Sequence, residues 1–220
     1  MKWNSFVFVF AALTDNFAYG QEPVSNNTTN TVLDERLRSA QVTETKLSNG
    51  AKFTEVKFAG SLQPNFELGC IPMSEVTSKF NPPALTYAAK KCIQQNDYEK
   101  AWALFTTSNG FAYYDIKRLA DRSTQGARTV LTMNAFADLT NEQEDNISQF
   151  FKKAQTDPEQ VKAYCTELTR IGFPTYEPKW AILHGIGVYQ EPRNGDYLTN
   201  VDTKALWSEI LKLRCTPEKP

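Results

Sequence analysis

NPPALTYAAKKCIQQNDYEKAWALF, residues 81–105, is the stretch whose reading decides the fold. Asn81 is a helix cap, and Pro82 stands at the first helical position, where its missing N–H costs nothing. Leu85, Ala88, Ala89, Cys92 and Ile93 then recur at helical spacing and make one apolar face. Asn96-x-x-Glu99 has the form of a capping box and opens a second helix, on which Tyr98, Ala101, Trp102 and Phe105 share a face. Ser108-Asn109-Gly110 is expected to stop it. The stretch therefore predicts two antiparallel helices over residues 82–108.

Downstream the helical signals continue. Residues 111–137 hold one or two further helices, with Ile116 and Leu119, then Ala127, Val130, Leu131 and Ala135, as their apolar positions. Thr140-x-x-Gln143 is a capping box, and Glu142 and Glu144 suit the positive end of the helix it opens. Asp157-Pro158-Glu159-Gln160 starts another, which Gly172 and Pro174 end. Thr203 to Leu213 is the last, with Cys215 just beyond it. Upstream, Asn49-Gly50 is a tight-turn signal inside residues 42–58 and predicts a β-hairpin. A second strand candidate is 180–189. Residues 59–81, with Gly60, Pro64, Gly69 and Pro72, read as irregular. The fold expected is mainly α with a small β component, a disulfide-stapled helical domain with an early β-hairpin.

The chain begins with a pattern expected of a secretory leader over residues 1–20: Lys2, the apolar run from Phe6 to Leu13, and small residues at Ala18 and Gly20. Residues 21–40 form a polar N-terminal segment and 41–220 a single globular domain. The apolar run is far shorter than the roughly 20 residues a bilayer requires, and no later segment has that length, so no membrane span is expected. The four cysteines, Cys70, Cys92, Cys165 and Cys215, are an even set without a Cys-x-x-Cys, which suits two disulfides in an exported protein. Three pairings exist. Cys70–Cys92 with Cys165–Cys215 is favoured because each bond would fasten an irregular segment to a neighbouring helix. The formal charge is −1, and loss of the leader removes only Lys2 and Asp15, so the balance is unchanged. Nucleic acid, which requires a basic face, is not an expected partner.

The only histidine, His184, lies in KWAILHGIGVYQ, residues 179–190. His-Gly-x-Gly resembles the oxyanion loop of lipase-type hydrolases, but the chain has no Gly-x-Ser-x-Gly elbow and no second histidine. A strand ending in a glycine-bearing turn, with His184 hydrogen-bonded there, is the reading preferred. A zinc site lacks ligands at useful spacings. Gly185-x-Gly187 lacks the third glycine of a phosphate loop. No catalytic, cofactor or metal residue is assigned, and the chain is read as a non-enzyme. Lys117, Arg118, Arg122 and Arg128 lie near Tyr113 and Tyr114, as a solvated helix face or a modest recognition surface.

Residues 82–108 resemble a single tetratricopeptide-type helical hairpin. NDYEKAWALF is the most specific part, with Ala101 and Phe105 at the small and large packing positions of the second helix. Cys92 stands where that family has an aromatic residue, and no second copy follows at the repeat period. GFPTYEPKWAILHGIGVY, then LWSEILKLRC, resembles small exported bacterial proteins of the toxin-immunity type. Gly172, Pro174, Tyr176, Pro178, His184, Gly185, Trp207 and Cys215 carry that likeness. It implies a periplasmic or secreted immunity protein that occludes an antibacterial toxin, such as one delivered by a type VI secretion system. Tyr113, Tyr114, Tyr176 and Tyr189 are its expected exposed anchors. The alternatives are an envelope scaffold using the helical hairpin and a hydrolase using His184.

Overall fold

A computed structural model describes residues 40–46, 52–189 and 196–217. The expected leader, most of the polar N-terminal segment and the Asn49-Gly50 turn lie outside the described residues. Strands β1 (Ala40–Lys46) and β2 (Lys52–Phe58) pair antiparallel, with Ala40 opposite Phe58 and Lys46 opposite Lys52. The hairpin is there, and β1 starts two residues earlier than expected. Its return end is tied to the helical body. Phe58 is buried, and Leu62 N–H donates to the Trp180 carbonyl at 3.0 Å. Gly60, at φ +95°, lets the chain turn where a Cβ would meet Leu183 Cδ1 at 2.9 Å.

Seven α-helices follow among the described residues. The first, α1 (Pro82–Gln94), begins as the sequence dictates, with the Asn81 side chain accepting from Ala84 N–H at 3.0 Å. Asn81 also stitches the irregular segment before it, exchanging hydrogen bonds with Asn65 and donating to the Gln63 carbonyl. Helix α2 (Tyr98–Arg118) departs from expectation twice. Asn96 takes a left-handed turn at φ 61°, and the cap is Asp97, accepting from Lys100 N–H. Nor does Ser108-Asn109-Gly110 stop the helix, which runs on for 21 residues. The reason is tertiary. Ser108 Oγ is buried and donates to the Pro82 carbonyl, and a Cβ at Gly110 would lie 3.5 Å from Ile210, so a small residue lets the last helix close in. Packing outweighs the weak helix propensity of these three residues.

Helix α3 (Ala127–Phe136) follows a 3-10 turn at Arg122–Gly126. The capping box at Thr140 opens α4 (Asn141–Thr156) with both reciprocal bonds formed. Asp157 opens α5 (Pro158–Ile171), accepting from Glu159 and Gln160 N–H, and Gly172, at φ 74°, closes it. The expected strand at 180–189 is absent. Lys179–Ile182 is a short helix, α6, and Ile186–Tyr189 a 3-10 turn. Trp180, Ala181, Ile182 and Val188 are all buried, and an apolar run with no alternation cannot distinguish a buried strand from a buried helix. Helix α7 (Thr203–Arg214) is capped by Asp202.

The α1–α2 hairpin is the centre of the core. Nine of the 13 residues of α1 are buried, and α4, α5 and α7 pack around the pair. A second cluster joins Ala112 and Leu119 to α3 and to Trp180, Ala181 and Ile182. Two disulfides form with the expected pairing, Cys70–Cys92 and Cys165–Cys215. The first holds the irregular segment against α1, and the second holds the end of α7 against α5. Among the described residues no helix is long and apolar enough to cross a membrane.

Candidate functional site

Aspartate is a poor interior residue, yet Asp115, three residues from the end of α2, is fully buried. Every donor around it is accounted for. Arg118 Nη2 donates to Oδ1 at 2.9 Å, and Tyr176 OH and Trp180 Nε1 donate to Oδ2 at 2.9 and 2.8 Å. Burial outweighs these donors and pushes the carboxyl up to about 6. Burial, and then the neighbouring carboxylate, holds the Tyr176 hydroxyl well above the usual phenol range. The charge thus joins two remote pieces of chain, the end of α2 and the stretch Tyr176–Trp180 that leads into α6.

Arg118 carries this hub to the surface. Its guanidinium lies 4.3 Å from the centre of the Tyr114 ring and 5.7 Å from that of Tyr197, while Nε donates to the Tyr114 carbonyl. Phe173 stacks against the Tyr114 ring, with centroids 6.1 Å apart. The returning chain is pinned alongside: Leu119 bridges Tyr197, and Leu198 N–H donates to the Arg118 carbonyl at 2.8 Å. Phe173, Tyr197 and Leu198 are each more than 40% exposed. The guanidinium is thus flanked by two aromatic rings and fixed by a buried carboxylate, with exposed Phe173 against one of those rings and exposed Leu198 on the adjoining chain.

The expected anchors are divided by the structure. Tyr114 is 2% exposed, so it is no exposed anchor; it is the platform under Arg118, between Phe173 and Trp207. Tyr176 is partly buried with its hydroxyl on Asp115. Tyr113 sits on another side of α2, partly buried, donating to Glu209 and covered by Lys117 at 5.1 Å. The Tyr189 side chain lies outside the described residues. Phe173, Tyr197 and Leu198 were not legible as surface groups. Their only sequence signal is an aromatic or leucine beside glycine, proline or aspartate, which marks many loops.

The glycines of His-Gly-x-Gly close on a carboxylate instead of a substrate oxygen. Gly187 N–H donates to Asp121 Oδ2 at 2.7 Å, and Ile186 N–H to Ser123 Oγ at 2.7 Å. Ser123 Oγ in turn donates to Asp121 Oδ1 at 2.7 Å. A Cβ at Gly185 would collide with the Asp121 carboxylate, and one at Gly187 would stand 2.7 Å from it, so both positions require glycine. His184 is partly buried in the turn, its N–H on the Ala181 carbonyl, and burial lowers its imidazole below the usual value. The Ser123 hydroxyl has its proton on Asp121 and an acceptor site on Ile186. It braces the turn against Asp121. Among the described residues no three His, Cys, Asp or Glu side chains cluster to hold a metal.

No family model matches the chain, and neither a curated protein nor a solved structure matches it.

Proposed function

We propose that this protein binds another protein in an extracytoplasmic compartment, and that it is an immunity protein that neutralises a secreted antibacterial toxin by covering it. The observation that carries the reading is the row Phe173–Tyr114–Arg118–Tyr197, with Leu198 beside it, held over buried Asp115. An occluding protein needs stiff anchors that lose little entropy on docking. Here the guanidinium is fixed by Asp115, two rings and a backbone carbonyl before any partner arrives. Two disulfides suit an oxidising compartment and further stiffen the body that carries the row. The helical hairpin is a weaker basis for an envelope scaffold, because nine of the 13 residues of α1 are buried inside this chain's own core.

The test is inhibition. The oxidised protein is mixed with candidate envelope-directed toxins from the source bacterium and its competitors, and toxin activity is read. One toxin loses its activity at an equimolar amount, and Tyr197→Ala and Phe173→Ala each weaken that inhibition by about tenfold or more. Full inhibition by a Phe173→Ala, Tyr197→Ala double variant removes the row from the reading. No inhibition of any toxin removes the immunity assignment.

A further inference from the structure

A guanidinium and an indole N–H only donate hydrogen bonds, whereas a phenol donates or accepts. All three kinds of group surround the buried Asp115 carboxylate. Arg118 Nη2 donates to Oδ1, and Tyr176 OH and Trp180 Nε1 both donate to Oδ2. Arg118 brings the one positive charge among these donors, so the ionised carboxylate and the guanidinium cancel. A single proton changes that sum. Placed on Oδ2, it is received by Tyr176, the one neighbour able to reverse from donor to acceptor, while Trp180 goes on donating to the same oxygen. Oδ1 becomes a neutral carbonyl. Arg118 then keeps its place, held by the Tyr114 carbonyl and the two rings, with its charge no longer balanced by Asp115.

That charge stands near the surface. The Arg118 side chain is 16% exposed and lies against the exposed Tyr197 ring. On α2, Arg118 and Tyr114 are the groups at this end of the helix. The Tyr176–Trp180 stretch adds Tyr176 and Trp180, with Glu177 paired to Lys179 at 3.4 Å. The returning chain brings Tyr197, whose surroundings include Glu177 and Asp196. From α7 the neighbour is Trp207, packed on Tyr114; α3 contributes Ala127 and Leu131, and α1 the phenol of Tyr87, to the cluster that holds Trp180. Asp115 is therefore the acid bonded to the Arg118 guanidinium, and burial, which pushes its carboxyl up to about 6, sets the exchange in a mildly acidic medium.

We propose that Asp115 is a proton-operated latch on Arg118: ionised, it occupies the guanidinium from within, and protonated, it leaves that charge to receive a carboxylate of the partner docked on the row of Phe173, Tyr114, Arg118 and Tyr197. The partner's side of the latch rests on the protein-binding role proposed for the row, whereas the change at Arg118 belongs to the free protein. The coupling is reciprocal, so a carboxylate bound at Arg118 draws a proton onto Asp115.

NMR of the nitrogen-labelled, oxidised chain tests this from about pH 4.5 to about pH 8. The side-chain N–H signals of Arg118 and Trp180 move together with one midpoint at about 6. Formate, ionised throughout this range, is the carboxylate probe. It shifts the Arg118 Nε–H signal saturably at about pH 5, and binds at least about tenfold more weakly at about pH 7.5, where the receptive form is a small minority. Asp115→Asn, neutral at every pH, loses both the titration and the pH dependence of formate binding; if that variant fails to fold, the wild-type curves decide the matter by themselves. Static signals, or a Trp180 titration that Arg118 does not follow, overturn the latch. So does formate binding of equal strength at both pH values. No toxin enters the experiment, so a failed latch and a failed immunity assignment are told apart.

Discussion

Asp115 places a carboxylate where water does not reach, and three donors converge on it, Arg118 from its own helix and Tyr176 and Trp180 from a stretch 61 to 65 residues on. Asp115→Ala leaves those donors buried with nothing to receive them, at a cost of about 3 kcal/mol or more at neutral pH. Urea unfolding reads this as a lower midpoint. The same residue sets a pH dependence. Its carboxyl titrates at 3.8 in the unfolded chain and at about 6 when buried. Between those values the folded chain keeps a proton that the unfolded chain has released, so Asp115 lends its full stability below 3.8 and loses it as pH rises through about 6. The advantage of the wild type over Asp115→Ala is therefore expected to shrink from about pH 4 to about pH 6 and then level off. Asp97 and Asp138, whose carboxyls Lys100 and Lys90 hold low, contribute equally to both proteins and cancel. A gap that widens on going from acid to neutral would show that the donors outweigh burial at this site.

Among the elements, helix starts are the places where a few local atoms decide the outcome. Asp157 accepts two backbone N–H groups at the head of α5, with Pro158 next to it. Asp157→Ala should lower stability by about 1 kcal/mol, read as a shifted urea midpoint at constant slope. That locality is also why the heads of α1, α4 and α5 were legible in the sequence: cap, proline and capping-box partner lie within four residues. The stop at 108–110 was misread for the opposite reason. What keeps α2 going is the Pro82 carbonyl and Ile210, 26 and 100 positions away from Ser108 and Gly110. The region 180–189 carried no alternation to read, and the glycine pair within it is explained only by Asp121, which no spacing rule connects to it. Of the surface row, the sequence pointed to Tyr114 and Arg118, but it placed Tyr114, like Tyr176, on the outside. A tyrosine one turn from an arginine looks the same whether it is a platform beneath the guanidinium or a free anchor.

At the scale of the molecule, two covalent links and one central helical pair organise everything else. The Cys165–Cys215 bond closes a loop of 50 residues and the Cys70–Cys92 bond one of 22. On the chain-entropy account these stabilise by about 4 and about 3 kcal/mol. Replacing either pair by alanine should lower the thermal midpoint by many degrees, the Cys165–Cys215 pair by more. The order would reverse only if the unfolded chain were already held together near residues 165 and 215.

The longer of these loops has another consequence. Phe173, Tyr176, Trp180, the glycine turn at 185–187, Tyr197 and α7 all lie between Cys165 and Cys215. A protease that cuts once inside that interval releases no fragment. The nicked chain would migrate as one species until a reductant is added, then separate in two. A molecule exposed to hostile enzymes outside the cytoplasm would keep both sides of its candidate binding surface attached after the first cut.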